Sequence, residues 1–380
     1  MKKKILILYA SYGTGHKAIA EYIASYFKSQ DSNLEISTLD ILTYSMKRVG
    51  KWSQKANGFL MLKMPMIHGF FYRLLNHKIL VDIGTNGSMI LFKNKKMAQK
   101  IGSFAPDITI ATHFFGSSLI SYFNQKGITN SKLISVITDY EAHELWIKDF
   151  GEDDYIVASN KEEVNFLVKR GIDKEKIKVF GIPIAPKKNE LFDKDKLIFD
   201  LGFNGKKPIC VFFGGGGNGS TASIPYAKKV FNTSSNIDFI FIAGKNKKCF
   251  DIIDNYVKGN NLNNVKVLGY VNNVPELLSI ASFAISKPGG VQSTECLYFN
   301  VPIFMINNSG GQEVANYKYF EENGYGKYFR FPWTLSNFIK RINDNPNILI
   351  NYRNNMEKNH NEEAMGKIYD LTKNLLDNDK

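Results

Sequence analysis

Residues 11–20 read SYGTGHKAIA and stand directly behind the apolar run KILILYA. A neutral imidazole at His16 can remove a proton from an attacking hydroxyl near pH 7, with Gly13 and Gly15 leaving room for the molecule that carries it. Two other readings fit the same residues. Gly13, Gly15 and Ala18 match the G-x-G-x-x-A pattern of a dinucleotide turn, and Asp40 ends the next apolar run about where a ribose-binding acid would stand. His16 can also cap the helix that follows. The local sequence leaves base, cap and dinucleotide turn open.

Three further loops carry chemistry, all in the second half. FFGGGGNGS places Gly214, Gly215, Gly216, Gly217 and Gly219 after an apolar run. Without a Cβ there, backbone amides can approach a phosphate; the plainer reading is a flexible turn. The spacing imitates a P-loop, but Ser220 stands where a P-loop has lysine, which argues against a Walker-type ATPase. In SKPGGVQSTE, Lys287, Pro288, Gly289 and Gly290 make a tight turn into a helix whose first amides would face an anion. Glu295 follows in that helix, where a carboxylate can hold a ribose diol or simply complement the helix dipole. Gln312 and Glu313, in NNSGGQEVAN, suit sugar hydroxyls or an ordinary helix start. Together the three loops read as contacts for a diphosphate, a ribose and a sugar. Asp193 and Asp195 have Asp-x-Asp spacing but lie in a charged linker region, so they do not make a convincing metal cage. Amides and a helix end can neutralise a diphosphate leaving group without a metal.

The elements that must position these loops are short apolar runs alternating with amphipathic stretches. In the first half the runs are KILILYA, LEISTLDIL, DITIATH, KLISVITDY, YIVAS and IKVFGIPI. A helix is expected from about Lys17 to Ser29, with Ile19, Tyr22, Ile23, Tyr26 and Phe27 near a 3.6 period. GIPIAPKKNE reads as a linker, after which the alternation restarts with PICVFF, IDFIFIAGK, VKVLGYV, FAIS, a helix from about Ser293, and VPIFMIN. Strands alternating with helices predict two doubly wound α/β halves with mainly parallel sheets. Such sheets bind ligands beyond the carboxyl ends of their strands, which is where all four loops fall. The expectation is a cleft between the halves.

The length of 380 residues agrees with two domains, and 44% apolar with 22% charged residues describes an ordinary globular chain. Cys210, Cys249 and Cys296 follow no disulfide or metal spacing and read as reduced cytosolic thiols. The apolar run of MKKKILILYA is too short for a signal peptide, and no run approaches the roughly 18 apolar residues of a membrane span, so membrane contact is expected to be peripheral. Residues 59–75, FLMLKMPMIHGFFYRLL, mix apolar side chains with Lys63, His68 and Arg73, and LFKNKKMAQK adds basic charge at 91–100. This pattern suits an anionic membrane interface, or a buried hairpin between domains. The net charge of +13 then has a purpose. Nucleic acid is not expected, because no recognition helix or aromatic-basic platform is present.

The stretches ILILYASYGTGHKAIA, PDITIATHF, VITDYEAHELW, VFGIPI, VKVLGYVNNVPELLSIASFAISKPGGVQSTE and GGQEVANYKYFEENG jointly resemble the processive diacylglycerol β-glucosyltransferases and monogalactosyldiacylglycerol synthases of glycosyltransferase family 28. The resemblance covers nearly the whole chain, and a more distant one extends to the lipid-linked N-acetylglucosaminyltransferase of peptidoglycan synthesis. It implies a GT-B fold: two Rossmann-like domains facing across a cleft. The lipid acceptor domain would span 1–184, the UDP-sugar domain 185–345, and a helical tail over 346–380 would pack back across the first. It also implies inverting transfer of glucose or galactose from a UDP-hexose to 1,2-diacylglycerol without a required metal or cofactor, at the cytoplasmic face of the membrane. His16 becomes the base, with Gly13, Gly15, His113, Asp139, His143 and Trp146 on the acceptor side. Gly269, Tyr270 and Val271 would edge the uracil. The turn 287–290, Thr294 and Glu295 would hold diphosphate and ribose, and Gln312 and Glu313 the sugar. GGGG replaces a more varied loop of relatives, and Gly310 stands where they have proline. The rival reactions are N-acetylglucosamine transfer to a polyprenyl-linked muramyl acceptor and epimerisation of a UDP-sugar.

Overall fold

The computed structural model describes residues 2–11, 14–45, 92–147, 150–151, 154–185, 192–307, 310–358 and 363–377. The apolar runs form strands, and those inside each sheet bury their side chains on both faces, as parallel sheets with helices on each side require, while the strands at the sheet edges are only partly covered. In β1 (Lys4–Tyr9) Ile5, Leu6, Ile7 and Leu8 are all buried. The chain continues through α1 (Gly15–Gln30), β2 (Glu35–Asp40), α2 (Ile41–Ser45), α3 (Lys95–Phe104), β3 (Ile108–Ala111) and α4 (Phe114–Gln125). Then come β4 (Lys132–Val136), α5 (Glu144–Ile147), β5 (Tyr155–Ala158), α6 (Glu162–Lys169) and β6 (Ile177–Val179). These six strands make one parallel sheet in the order β2-β1-β3-β4-β5-β6. The order reverses between β1 and β3, so the loops leaving those two strands diverge and open a crevice at their carboxyl ends.

The second sheet repeats the plan. Its elements are α7 (Lys194–Asp200), β7 (Ile209–Phe213), α8 (Ile224–Phe231), β8 (Asp238–Ile242), α9 (Lys247–Gly259), β9 (Val265–Leu268), α10 (Val274–Ser279) and β10 (Phe283–Ser286). They are followed by α11 (Gly290–Tyr298), β11 (Ile303–Met305), α12 (Gln312–Glu322), β12 (Gly326–Tyr328), α13 (Pro332–Asp344) and α14 (Ile348–Lys358). The strands are parallel in the order β12-β11-β10-β7-β8-β9, with the reversal between β7 and β10. Its core is rich in phenylalanine: Phe212, Phe231, Phe239, Phe241, Phe283 and Phe304 interlock, with Phe338 of α13 set 4.9 Å from Phe304 between ring centres. A surface cavity of about 420 Å³ lined by Asn204, Lys207, Asp238 and Asn264 lies at the amino ends of β7, β8 and β9, away from the strand ends where such folds bind ligands.

The last helix, α15 (Ala364–Asp377), belongs to the first unit. Tyr369 sets its ring edge-on to Phe27 of α1 at 5.1 Å, Lys373 pairs with Asp31 at 3.0 Å, and Lys132 Nζ donates to the Leu375 carbonyl. The expected tail is thereby divided. Helix α14 stays with the second unit, where Arg353 donates to the Ser282 carbonyl and Tyr352 packs on Phe304. The two compact units are Met1–Ala185 with Ser309–Gln312 and Asn361–Lys380, and Pro186–Asn308 with Glu313–His360.

Candidate functional site: an imidazole and a phosphate cradle

The loops after β1 and β3, and those after β7 and β10, lie at the reversal points of their sheets, and the other chemistry-bearing loops follow further strands of the same sheets. In the first unit, α1 begins at Gly15 rather than near Lys17, so His16 sits in its first turn. Its side chain does not cap the helix. The Nδ1–H donates to the Thr112 carbonyl at 2.8 Å, and Thr138 Oγ1 lies 3.0 Å from the same nitrogen. A carbonyl can only accept, so the proton resides on Nδ1 and the lone pair on Nε2. Nε2 has no hydrogen-bond partner among the described residues. Thr112 also returns its hydroxyl to the His16 carbonyl at 3.0 Å, locking the start of α1 to the end of β3. Burial lowers the His16 pKa, while the charge of Asp139 and the Thr112 hydrogen bond act in the opposite sense. The ring is therefore neutral near pH 7 and is stabilised by Asp139 when it takes a proton.

His113 meets His16 edge-on, with ring centres 4.7 Å apart. It caps α4 by accepting from the Phe115 amide at 3.2 Å, and burial beside His16 drives its pKa well below the ordinary range. It stays uncharged, so a proton taken up by His16 meets no second cation. His143 caps α5 by accepting from the Leu145 amide, and Trp146 packs with Ile137, Ala142 and Ile156. The described contacts of these last two are structural. Gly13 lies outside the described residues, as does the 59–75 segment. In the basic stretch that follows, Asn94 caps α3 through the Met97 amide, and Lys93 and Lys96 lie over the rings of Tyr122 and Tyr44. Asp40 accepts from Ser11 N and Oγ, Leu42 N and Thr43 Oγ1, so the dinucleotide reading loses its free acid.

Glu163 was not among the expected residues. It is buried in α6, where it accepts from Ser159 N at 2.7 Å and Ser159 Oγ at 3.1 Å. Burial pushes its carboxyl up to about 8, and Asp139 and Glu141 add to the rise. Asn160, one turn before it, donates to the Tyr140 carbonyl and so ties this helix start to the loop that bears Thr138 and Asp139.

In the second unit the glycine loop folds tightly against the loop after β8. The Gly214 amide donates to the Ile242 carbonyl, Ser220 N to Gly214 O, and Gly219 N to Gly216 O. At Gly219, with φ +68°, a Cβ would stand 1.9 Å from the Ala243 carbonyl oxygen, so only glycine fits. The amides of Gly215, Gly216 and Gly217 donate to no acceptor among the described residues. Across the reversal point, α11 starts at Gly290 with Gly289 as its cap, earlier than the expected Ser293. Its first amides thus stand at the Lys287–Gly290 turn. Thr294 donates to the Gly290 carbonyl, and Gln292 donates to Glu295 at 3.3 Å. Glu313 is buried, and its Oε1 pairs with Lys287 Nζ at 2.8 Å, which ties it to the Lys287–Gly290 turn. Asn316 donates to the Pro288 carbonyl at 3.0 Å, a second tie between α12 and the turn that sequence reasoning missed. Gly269 and Val271 flank an exposed Tyr270 after β9, and Gln312 opens α12 half-buried. Among the described residues no group of three or more His, Cys, Asp or Glu gathers as a metal site, and no helix is long and apolar enough to cross a membrane.

Comparison with known proteins agrees with both halves. Residues 16–184 match the monogalactosyldiacylglycerol synthase family model, and residues 209–370 match the glycosyltransferase family 28 C-terminal domain. The chain belongs to glycosyltransferase family 28. It is 28% identical to the processive diacylglycerol β-glucosyltransferase of Staphylococcus saprophyticus over 386 residues, covering 98% of this chain and 92% of that protein. The protein of the same description from Staphylococcus aureus strain MRSA252 is also 28% identical, covering 94% of this chain and 88% of that protein. Among solved structures, the S. aureus MnaA–UDP complex superposes with a TM-score of 0.64 at 14% identity, covering 99% of this chain and 97% of that one. Acinetobacter baumannii MurG does so at 0.61 and 11% identity, covering 97% and 98%. These structural matches establish the GT-B fold, and family membership makes the chain a glycosyltransferase.

Proposed function

We propose that this chain transfers a hexose, glucose in the first instance, from a UDP-sugar to the primary hydroxyl of 1,2-diacylglycerol, giving a β-glycosyl diacylglycerol. The observation that carries the reading is the His16 imidazole. Its tautomer is fixed by the Thr112 carbonyl, its Nε2 lone pair is available, and Asp139 favours the cation that forms. As the lipid oxygen bonds to the anomeric carbon, the bond from that carbon to the phosphate oxygen breaks. UDP leaves with the electron pair, the hydroxyl proton passes to His16 Nε2, and the anomeric centre inverts. The chemistry requires the anomeric carbon to come within reach of the hydroxyl held at His16.

On the donor side, the Gly215–Gly217 amides and the first amides of α11 receive the diphosphate charge, with Lys287 beside them. Glu295 takes the ribose diol, the loop at Tyr270 and Val271 edges the uracil, and Gln312 faces the sugar. This arrangement needs no metal in the reading offered here. The names of the staphylococcal relatives support diacylglycerol as acceptor and glucose as donor sugar. The enzyme then works as a peripheral protein at the cytoplasmic face of the membrane, drawn to anionic lipid by its basic excess. Transfer to a polyprenyl acceptor and epimerisation remain as rivals supported by fold likeness alone. Mass spectrometry of lipids after incubation with diacylglycerol liposomes and a panel of UDP-sugars tests the proposal. A hexosyl diacylglycerol is expected. Conversion of UDP-sugar without lipid, or product only on a polyprenyl acceptor, would replace it.

A further inference from the structure

Ser220 occupies the place where a P-loop carries its lysine, so the glycine loop lacks a cation of its own. The structure supplies one from the neighbouring strand end. Lys245 follows Gly244 in the loop after β8, and its amide donates to the Gly217 carbonyl at 3.0 Å, which fixes its backbone to the rim of the glycine loop. At Gly244, with φ +61°, a Cβ would stand 2.7 Å from the same carbonyl oxygen, so the two loops approach as closely as backbone allows. The Lys245 side chain is exposed and pairs with no carboxylate among the described residues. Its Nζ lies 4.8 Å from the ring centre of Tyr270, which is itself 56% exposed in the loop after β9. Three successive strand ends thus present amides without acceptors, an unpaired ammonium and an aromatic face. A cation resting on an exposed ring is weakly held, and a phosphate is a much stronger partner for it.

We propose that Lys245 is a donor-binding residue: its ammonium leaves the face of Tyr270 and pairs with a phosphate of the nucleoside diphosphate lying on the glycine loop. The assignment rests on the reading of the chain as a user of nucleoside-diphosphate sugars. It gives the glycine loop a cation delivered from the next loop instead of from its own helix. Tyr270 acts as a parking surface that keeps the long side chain extended over the loop until phosphate arrives.

The test is calorimetric titration of the full-length wild type, Lys245→Ala and Lys245→Arg with UDP, UMP and uridine, at low and high salt, with melting temperatures as the folding control. Lys245→Ala is expected to melt like the wild type and to bind UDP about tenfold or more weakly. Uridine affinity should stay unchanged, and Lys245→Arg should recover most of the UDP affinity. The difference between wild type and Lys245→Ala should shrink as salt rises. In turnover assays KM for the sugar nucleotide should rise by a larger factor than kcat falls. Equal UDP affinity in wild type and Lys245→Ala overturns the assignment while leaving the donor reading intact. An equal loss for uridine also overturns it, by moving the contact to the nucleoside. A wild type that binds no UDP at all removes the donor reading and the assignment together.

Discussion

Replacing Lys287 by Met leaves the Glu313 carboxylate buried with its 2.8 Å ammonium partner gone. The Glu313 side chain is only 5% exposed, so water replaces the lysine only in part. Breaking a buried ion pair by removing one member costs about 3–5 kcal/mol. Lys287 is 39% exposed, which weakens the pair and places the expected loss at the lower end, about 3 kcal/mol. For a unit of this size that corresponds to a fall of about 6–12 °C in the transition of the second unit. Scanning calorimetry of the full chain measures it. The double variant Lys287→Met with Glu313→Gln removes both charges and should regain most of the lost stability, because no ion is then left buried. UDP affinity should stay weakened in the double variant, since the cation at the 287–290 turn is still missing. A loss of less than about 1 kcal/mol in the single variant, or no recovery in the double, would refute the reasoning.

Further outcomes follow from other observations. Burial lowers the His16 pKa by more than Asp139 and the Thr112 hydrogen bond raise it, so the acid limb of kcat/KM should lie below the ordinary histidine value of 6.5. In Asp139→Asn the limb should move to still lower pH; movement upward would contradict the assignment. Glu163, at about 8 in the fold against an ordinary 4.5, keeps a proton that the unfolded chain releases between those values. Stability therefore falls as pH rises through that window, and Glu163→Gln should flatten the melting profile and be the more stable form at pH 8. Gly219→Ala forces a Cβ to within 1.9 Å of the Ala243 carbonyl oxygen, at a positive φ. Loss of more than about tenfold in UDP affinity is expected, together with about 1–3 kcal/mol of stability, both read by calorimetry.

The sheets were legible because their strands are short and apolar with both faces covered: KILILY, ITIA, ICVFF and DFIFI admit little else. β12 was not, since GKY is three residues long with an exposed lysine in the middle. Helix starts were displaced at Gly15 and Gly290, where Thr14 caps α1 without a side-chain hydrogen bond and Gly289 caps α11 with no side chain to mark it. The three readings of His16 could not be separated locally. The residues that hold its ring, Thr112 and Thr138, stand 96 and 122 positions away and meet it only through the sheet. The same holds for Asp40, whose engagement with Ser11 and Thr43 is invisible until β1 and β2 are paired. The Lys287–Glu313 pair joins two motifs that the sequence presents as separate phosphate and sugar contacts. Fold and loop positions follow from pattern, whereas partners follow from topology.

The most direct test of the central claim is the rate of sugar transfer to diacylglycerol in liposomes by His16→Ala, measured beside its affinity for UDP. If the imidazole at the β1–β3 reversal point takes the lipid's proton, turnover should drop roughly 100-fold or more while UDP binds as in the wild type. Transfer at the wild-type rate would contradict the account.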